Sequence, residues 1–119
     1  MNSSELNAKA HNNLKRFQGY SIVKKKESSK GFLAETSSKR ILDYGCGKGM
    51  QYLQHRLHDY WEVPLPTCYD PCMPALSRKP RGMFDAVLCV DVMEHVDEDL
   101  VGEVLADIIG SAKKVVYFN

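Results

Sequence analysis

Residues 40–49 read RILDYGCGKG, and the fold is decided there. Ile41, Leu42 and Tyr44 make a short β-prone run, and Gly45, Gly47 and Gly49 place three glycines in the five residues that follow. Glycine adopts positive φ without a Cβ penalty and lets backbone come close to a ligand. The continuation, MQYLQHRLHDYW, sets Met50, Leu53, Leu57, Tyr60 and Trp61 at helical spacing. Strand, tight turn and one helix are expected in succession.

Downstream, Pro64 and Pro66 break the chain, and Thr67–Tyr69 reads as a short second strand that stops at Asp70-Pro71. The loop PCMPALSRKPRG leads into Phe84–Val90, a continuous apolar run of the kind that forms a parallel strand covered on both faces. Asp97 reads as the N-cap of a last helix whose Leu100, Val101, Val104, Leu105, Ile108 and Ile109 form one apolar stripe. Lys113 and Lys114 suit its C-terminal end, and Val115–Phe118 reads as a final strand. Alternating strands and helices imply an α/β fold with a parallel sheet.

Upstream, residues 3–18 read as a helix stopped by Gly19, followed by a β-prone piece at Tyr20–Val23. A lysine- and serine-rich connection then runs on, with a helical turn around Phe32–Ala34. Residues 1–38 are thus expected to be an N-terminal helix and linker packed on a core of residues 39–119.

With 119 residues, 44% of them hydrophobic, the chain supports one core. It has no apolar run of the roughly 20 residues that span a membrane. The polar start MNSSELNAKAHNNLKRF lacks a signal-peptide core, so a cytoplasmic protein with no membrane partner is expected. Four cysteines are too few for a disulfide scaffold, and Cys68 and Cys72, spaced C-x3-C, lack the partners of a zinc site. Free thiols and no metal are expected. His11 has no evident partner; His55 and His58 share a helical face without further ligands and are expected at the surface. Residues 1–40 carry a net +6 and residues 41–119 a net −5. The basic segment is either a solvated lysine-rich face or an arm for an anionic partner such as nucleic acid, and no aromatic interleaving supports the arm.

In open α/β sheets ligands bind at the carboxyl ends of the strands. The glycine turn there is not a P-loop, because no G-K-[ST] follows, and not a dinucleotide fingerprint, because Met50 stands where the third glycine belongs. Asp70 lies 21 residues after Gly49, at the end of the second strand. An acid in that place can accept hydrogen bonds from both ribose hydroxyls, which points to a nucleoside-containing ligand.

ILDYGCGKG resembles the first motif of the class I S-adenosylmethionine (SAM)-dependent methyltransferases, and FDAVLCVDVMEHV resembles their fourth-strand segment. Together with YDP, these stretches are similar to a group of methyltransferases found among phages and bacteria. The resemblance implies a Rossmann-like three-layer sandwich with SAM as cofactor, in a bacterial or phage-infected cytoplasm. It implies that Gly45, Gly47 and Gly49 pass under the methionine part of SAM, and that Asp43 orients the loop and reaches the amino group. Asp70 would hold the ribose and Asp91 would sit by the methionine moiety, with Tyr44, Cys46, Tyr69, Pro71 and Val92 lining the same site. Glu94 and His95 are the candidate bases, needed only where the acceptor must lose a proton. Each role has a plainer counterpart: Asp43 as a turn cap, Asp70 as a turn residue before Pro71, Asp91 as a solvated strand end, His95 as a cap before the last helix.

The chain also departs from the family. Only 13 residues separate Asp70 from Phe84, too few for the usual helix and third strand, so Pro71–Met83 must line the adenine side. In the family's strand numbers the expected sheet is 2-1-4-5, with its edge strands missing. That leaves Val115–Phe118 open to pairing with a second copy or with Tyr20–Val23. The expected activity is methyl transfer to an unidentified acceptor, by default a small molecule, since the N-P-P-Y tetrad of amino-directed DNA methyltransferases is missing. The alternative is a catalytically silent SAM-binding module or regulatory subunit.

Overall fold

The computed structural model describes residues 21–71, 73–90, 92–93 and 96–118. Its centre is a sheet of four parallel strands, β1 (Ile41–Tyr44), β2 (Thr67–Tyr69), β3 (Phe84–Cys89) and β4 (Ala112–Phe118). Counted along this chain the order is β2-β1-β3-β4, against the 2-1-4-5 written in the family's strand numbers. Among the described residues no strand lies between β2 and β3; a short 3-10 turn at Pro74–Leu76 occupies that connection.

All four residues of β1 are buried, which fits a central strand with cover on both faces. On one face Ile41, Ala86, Leu88 and Val90 meet Ile22, Leu33, Tyr52, Leu57 and Trp61. These come from a 3-10 turn (Ser21–Lys25) and three helices, α1 (Lys26–Glu35), α2 (Met50–Leu53) and α3 (Leu57–Trp61). On the other face Leu42, Tyr44, Val87 and Cys89 meet Ile108 and Val104 of α4 (Val101–Ser111). No helix among the described residues is long and apolar enough to cross a membrane.

Several local expectations are corrected. Residues 21–25 form a 3-10 turn, not a strand, so they do not pair with β4. The supposed linker is α1, which covers a face of β4 instead of its edge: Phe32 meets the Tyr117 ring edge-on at 5.3 Å, and Ser28 Oγ lies 2.9 Å from the Tyr117 hydroxyl. The expected helix over residues 3–18, with Gly19 and Tyr20, lies outside the described residues.

The helix expected over Met50–Trp61 is two short ones. Arg56 takes a left-handed conformation (φ +48°) and its Nε donates to Asp59 at 2.5 Å, so the chain turns between them. Leu57 and Trp61 are thereby buried while Leu53 is 72% exposed. Asp97 does not cap through its side chain; its carbonyl accepts the Leu100 amide in a 3-10 turn at Glu98–Leu100 that precedes α4. Of the apolar stripe only Ile108 is fully buried, and Ile109 is 59% exposed. Lys113 and Lys114 belong to β4, which starts three residues before the expected strand.

Candidate functional site

β1 delivers the chain at Tyr44 into the glycine turn, at the carboxyl ends of the parallel strands and between β2 and β3. Gly45, Gly47 and Gly49 all have left-handed backbones, with φ of +80°, +61° and +73°. The amides of residues 45–47 tie the turn to the end of β2. The Gly45 and Cys46 amides donate to the Tyr69 carbonyl at 2.7 and 3.3 Å, and the Gly47 amide donates to Asp70 Oδ2 at 2.9 Å. From the other side Val92, just after β3, closes on the turn: a Cβ on Gly45 would lie 2.3 Å from Val92 Cγ2.

Asp43 lies beneath this turn and is 4% exposed. Its Oδ2 accepts from the Tyr52 hydroxyl at 2.6 Å and from Gln51 Nε2 at 2.9 Å, and the same Nε2 reaches the Cys46 carbonyl at 3.3 Å. Burial pushes the carboxyl up from its ordinary 3.8 to about 6; the two hydrogen bonds oppose that rise, and the nearby Asp70 adds to it. Replacing Tyr52 by Phe removes the shorter bond at little change of shape. Loss of a charge-assisted bond is expected to lower stability at neutral pH by about 1.5–3 kcal/mol, read as a shifted urea midpoint with unchanged slope. A wild-type midpoint would show that the carboxylate needs no such support.

Asp70 is 4% exposed and anchors the short connection that follows: its amide donates to the Leu76 carbonyl at 2.9 Å, and its own carbonyl accepts the Met73 amide at 3.1 Å. Pro71 is half-buried within this turn. The Cys46 thiol meets that of Cys68, and this contact together with burial pushes it well above its ordinary range. Cys46 and Cys89 are buried and Cys68 half-buried, all as free thiols; Cys72 lies outside the described residues.

The structure thus brings Asp43, Gly45, Cys46, Gly47, Gly49, Tyr69, Asp70 and Val92 together. Tyr44 differs in its side chain: the hydroxyl donates to Asp107 Oδ2 of α4 at 2.9 Å, the ring stands edge-on to Tyr69 at 5.1 Å, and burial pushes the phenol up to about 12. Asp91, Glu94 and His95 lie outside the described residues. Gln51 and Tyr52 escaped the sequence reading, which weighed this helix by its apolar spacing. Their signal was polar side chains one and two residues past Met50, within reach of the acid that precedes the turn. Gln51 Oε1 is buried without a hydrogen-bond partner.

His55 is exposed, but His58 is not at the surface as expected. The break before α3 turns it inward, where its side chain is 13% exposed, its ring lies 6.0 Å from that of Tyr52, and its Nδ1 is buried without a partner. Among the described residues no group of three His, Cys, Asp or Glu side chains could hold a metal ion. Compared with family models, with curated proteins and with solved structures, the chain finds no match.

Proposed function

We propose that the protein binds SAM at the glycine turn and transfers its methyl group to an acceptor, most simply a small molecule. One observation carries this reading: a turn of three left-handed glycines at the carboxyl end of β1 is tied, through the Gly47 amide, to a buried acid at the end of the adjacent β2. In open α/β sheets that place receives nucleoside ligands. In this reading β3 and β4 occupy the positions of the fourth and fifth strands of a Rossmann-like sheet.

The residues present fit such a ligand. A carboxylate has about four lone-pair sites, so Asp70 can keep the Gly47 amide and also accept ribose hydroxyls. The unpartnered Gln51 Oε1 offers an acceptor to a cationic amino group near the turn. Asp43, already engaged by Tyr52 and Gln51, acts as a positioning residue beneath the backbone. SAM, when bound, supplies a sulfonium-activated methyl group, so holding an acceptor in line with it accounts for much of the rate. Glu94 or His95 takes the acceptor's proton where one must leave.

Calorimetry with SAM and with its demethylated product tests the assignment. Both are expected to bind, and Asp70→Asn, which retains an acceptor for the Gly47 amide, is expected to weaken SAM by about tenfold to a hundredfold through loss of charge-assisted bonds. Absence of binding by either molecule, or full affinity in Asp70→Asn, overturns it. Binding without turnover in a methyl-donor assay supports the silent-module alternative.

A further inference from the structure

Parallel strands put all their amino ends on one edge of the sheet, opposite the glycine turn. That edge is rich in cations. Lys39 and Arg40 precede β1, Arg78, Lys79 and Arg81 precede β3, and Lys113 and Lys114 lie at the start of β4; all seven are exposed. Contacts join the segment before β1 to the start of β3. Arg40 Nη2 donates to the Arg81 carbonyl at 3.1 Å and its guanidinium stacks 4.4 Å over the Phe84 ring. The backbone amides of Lys39 and Arg40 both donate to Asp85 Oδ2, at 3.0 and 3.1 Å.

Part of this charge has a structural partner. Lys79 pairs with Asp107, and Lys114 Nζ caps the end of α1 through the Thr36 and Ser37 carbonyls at 3.2 and 3.3 Å. Asp85, the acid in the middle, is engaged by two backbone amides, which hold it below its ordinary range, with Lys114 and Lys113 adding to that effect. The side chains of Lys39, Arg78, Arg81 and Lys113 make no ion pair among the described residues. A cationic edge compensated only in part is an electrostatic footprint for a polyanion.

Its shape narrows the choice. An open groove of about 500 Å3 runs between residues 79–82 and α4, with Lys79 and Arg81 on one side, Asp107 facing Lys79 from the other, and the small Gly82, Ala106, Gly110 and Ser111 along it. Gly110 leaves room for close approach, since a Cβ there would meet nothing within 4 Å, whereas a Cβ on Gly82 (φ +85°) would lie 3.6 Å from Arg40 Nη2. A concave groove whose lining keeps a net positive charge, from Lys79 and Arg81 against Asp107, suits a sugar–phosphate strand better than the flat surface of a bilayer. Phe84, the aromatic residue of this edge, is 1% exposed and gives bases no stacking platform.

We propose that the amino edge of the sheet is a sequence-independent nucleic-acid-binding surface, on which Lys39, Arg78, Arg81 and Lys113 contact the phosphates of a duplex. The surface is separate from the glycine turn and stands or falls independently of the SAM assignment.

The test is fluorescence anisotropy of a short labelled DNA duplex with the full chain across a salt series, beside the triple variant R78Q/R81Q/K113Q. All three side chains are exposed, and a urea curve confirms that the variant folds. Wild type is expected to bind at about 50 mM salt and weaken steeply as salt rises; the variant is expected to bind at least about tenfold more weakly, with a log–log slope shallower by about 2.7. R78K/R81K is expected to keep the wild-type affinity. No binding by wild type at low salt overturns the proposal. So does an unchanged slope in the triple variant, which would assign the affinity to another basic segment. Preferential binding to phosphatidylserine vesicles over the duplex overturns it in favour of a membrane.

Discussion

Replacing Gly45 by alanine is expected to lower the unfolding free energy by about 2–5 kcal/mol. Two costs add. A residue with a Cβ at φ +80° carries left-handed strain of about 1–2 kcal/mol. The new methyl would also lie 2.3 Å from Val92 Cγ2, and a buried valine cannot swing aside as the end of a long side chain can. The resulting overpacking costs about 1–3 kcal/mol. Urea denaturation of Gly45→Ala, Val92→Ala and the double variant separates the two. The double variant should regain at least about 1 kcal/mol relative to the sum of the single losses, leaving the backbone strain. Strict additivity would show that Val92 does not press on the turn.

Asp43→Asn is expected to stabilise the protein at neutral pH by up to about 3 kcal/mol, and to lose that advantage in acid. The folded protein holds the Asp43 carboxyl at about 6, against an ordinary 3.8. A raised acid binds its proton more tightly when folded than when unfolded, so its stabilising contribution is complete below pH 3.8 and is lost as pH rises through about 6. Asparagine stays neutral throughout, and its carbonyl oxygen can accept from Tyr52 and Gln51 as the carboxylate does. Subtracting wild-type from variant stability at a series of pH values cancels the other titrating groups. The difference should be near zero at the acid end and climb to its plateau above about pH 6. A flat difference would show that burial does not disfavour this charge.

The parts of the fold that could be read from sequence are those where a single local pattern has one physical solution. β2 and β3 are bounded by proline, glycine and an apolar run, and they lie where those signals place them, β3 ending one residue early at Cys89. The glycine turn was equally plain, because left-handed backbone at Gly45, Gly47 and Gly49 leaves few other uses for such a cluster. α1 was missed because it buries only Ser29 and Leu33, and its lysines, serines and Gly31 resemble a linker until Phe32 and Leu33 find the sheet. The break at Arg56 depends on a left-handed arginine stabilised by Asp59, a bargain between residues that spacing cannot reveal. In the site, the acids were visible as types at strand ends, but their partners were not. The two bonds that hold Asp43 come from residues on the next helix, and they exist only once the turn has folded that helix back.

Trp61, the sole tryptophan, lies at the seam between α3 and α1, 4% exposed, with its indole Nε1 donating to the Lys26 carbonyl at 3.0 Å. Its ring stands 6.1 Å from that of Tyr52, whose hydroxyl binds Asp43. The chain therefore carries its own optical reporter, one ring away from the carboxylate beneath the glycine turn. Detachment of α1 moves the indole into water and shifts its emission to the red, while an event at the turn reaches it as a change in quenching through Tyr52. Intrinsic fluorescence can follow both without a label.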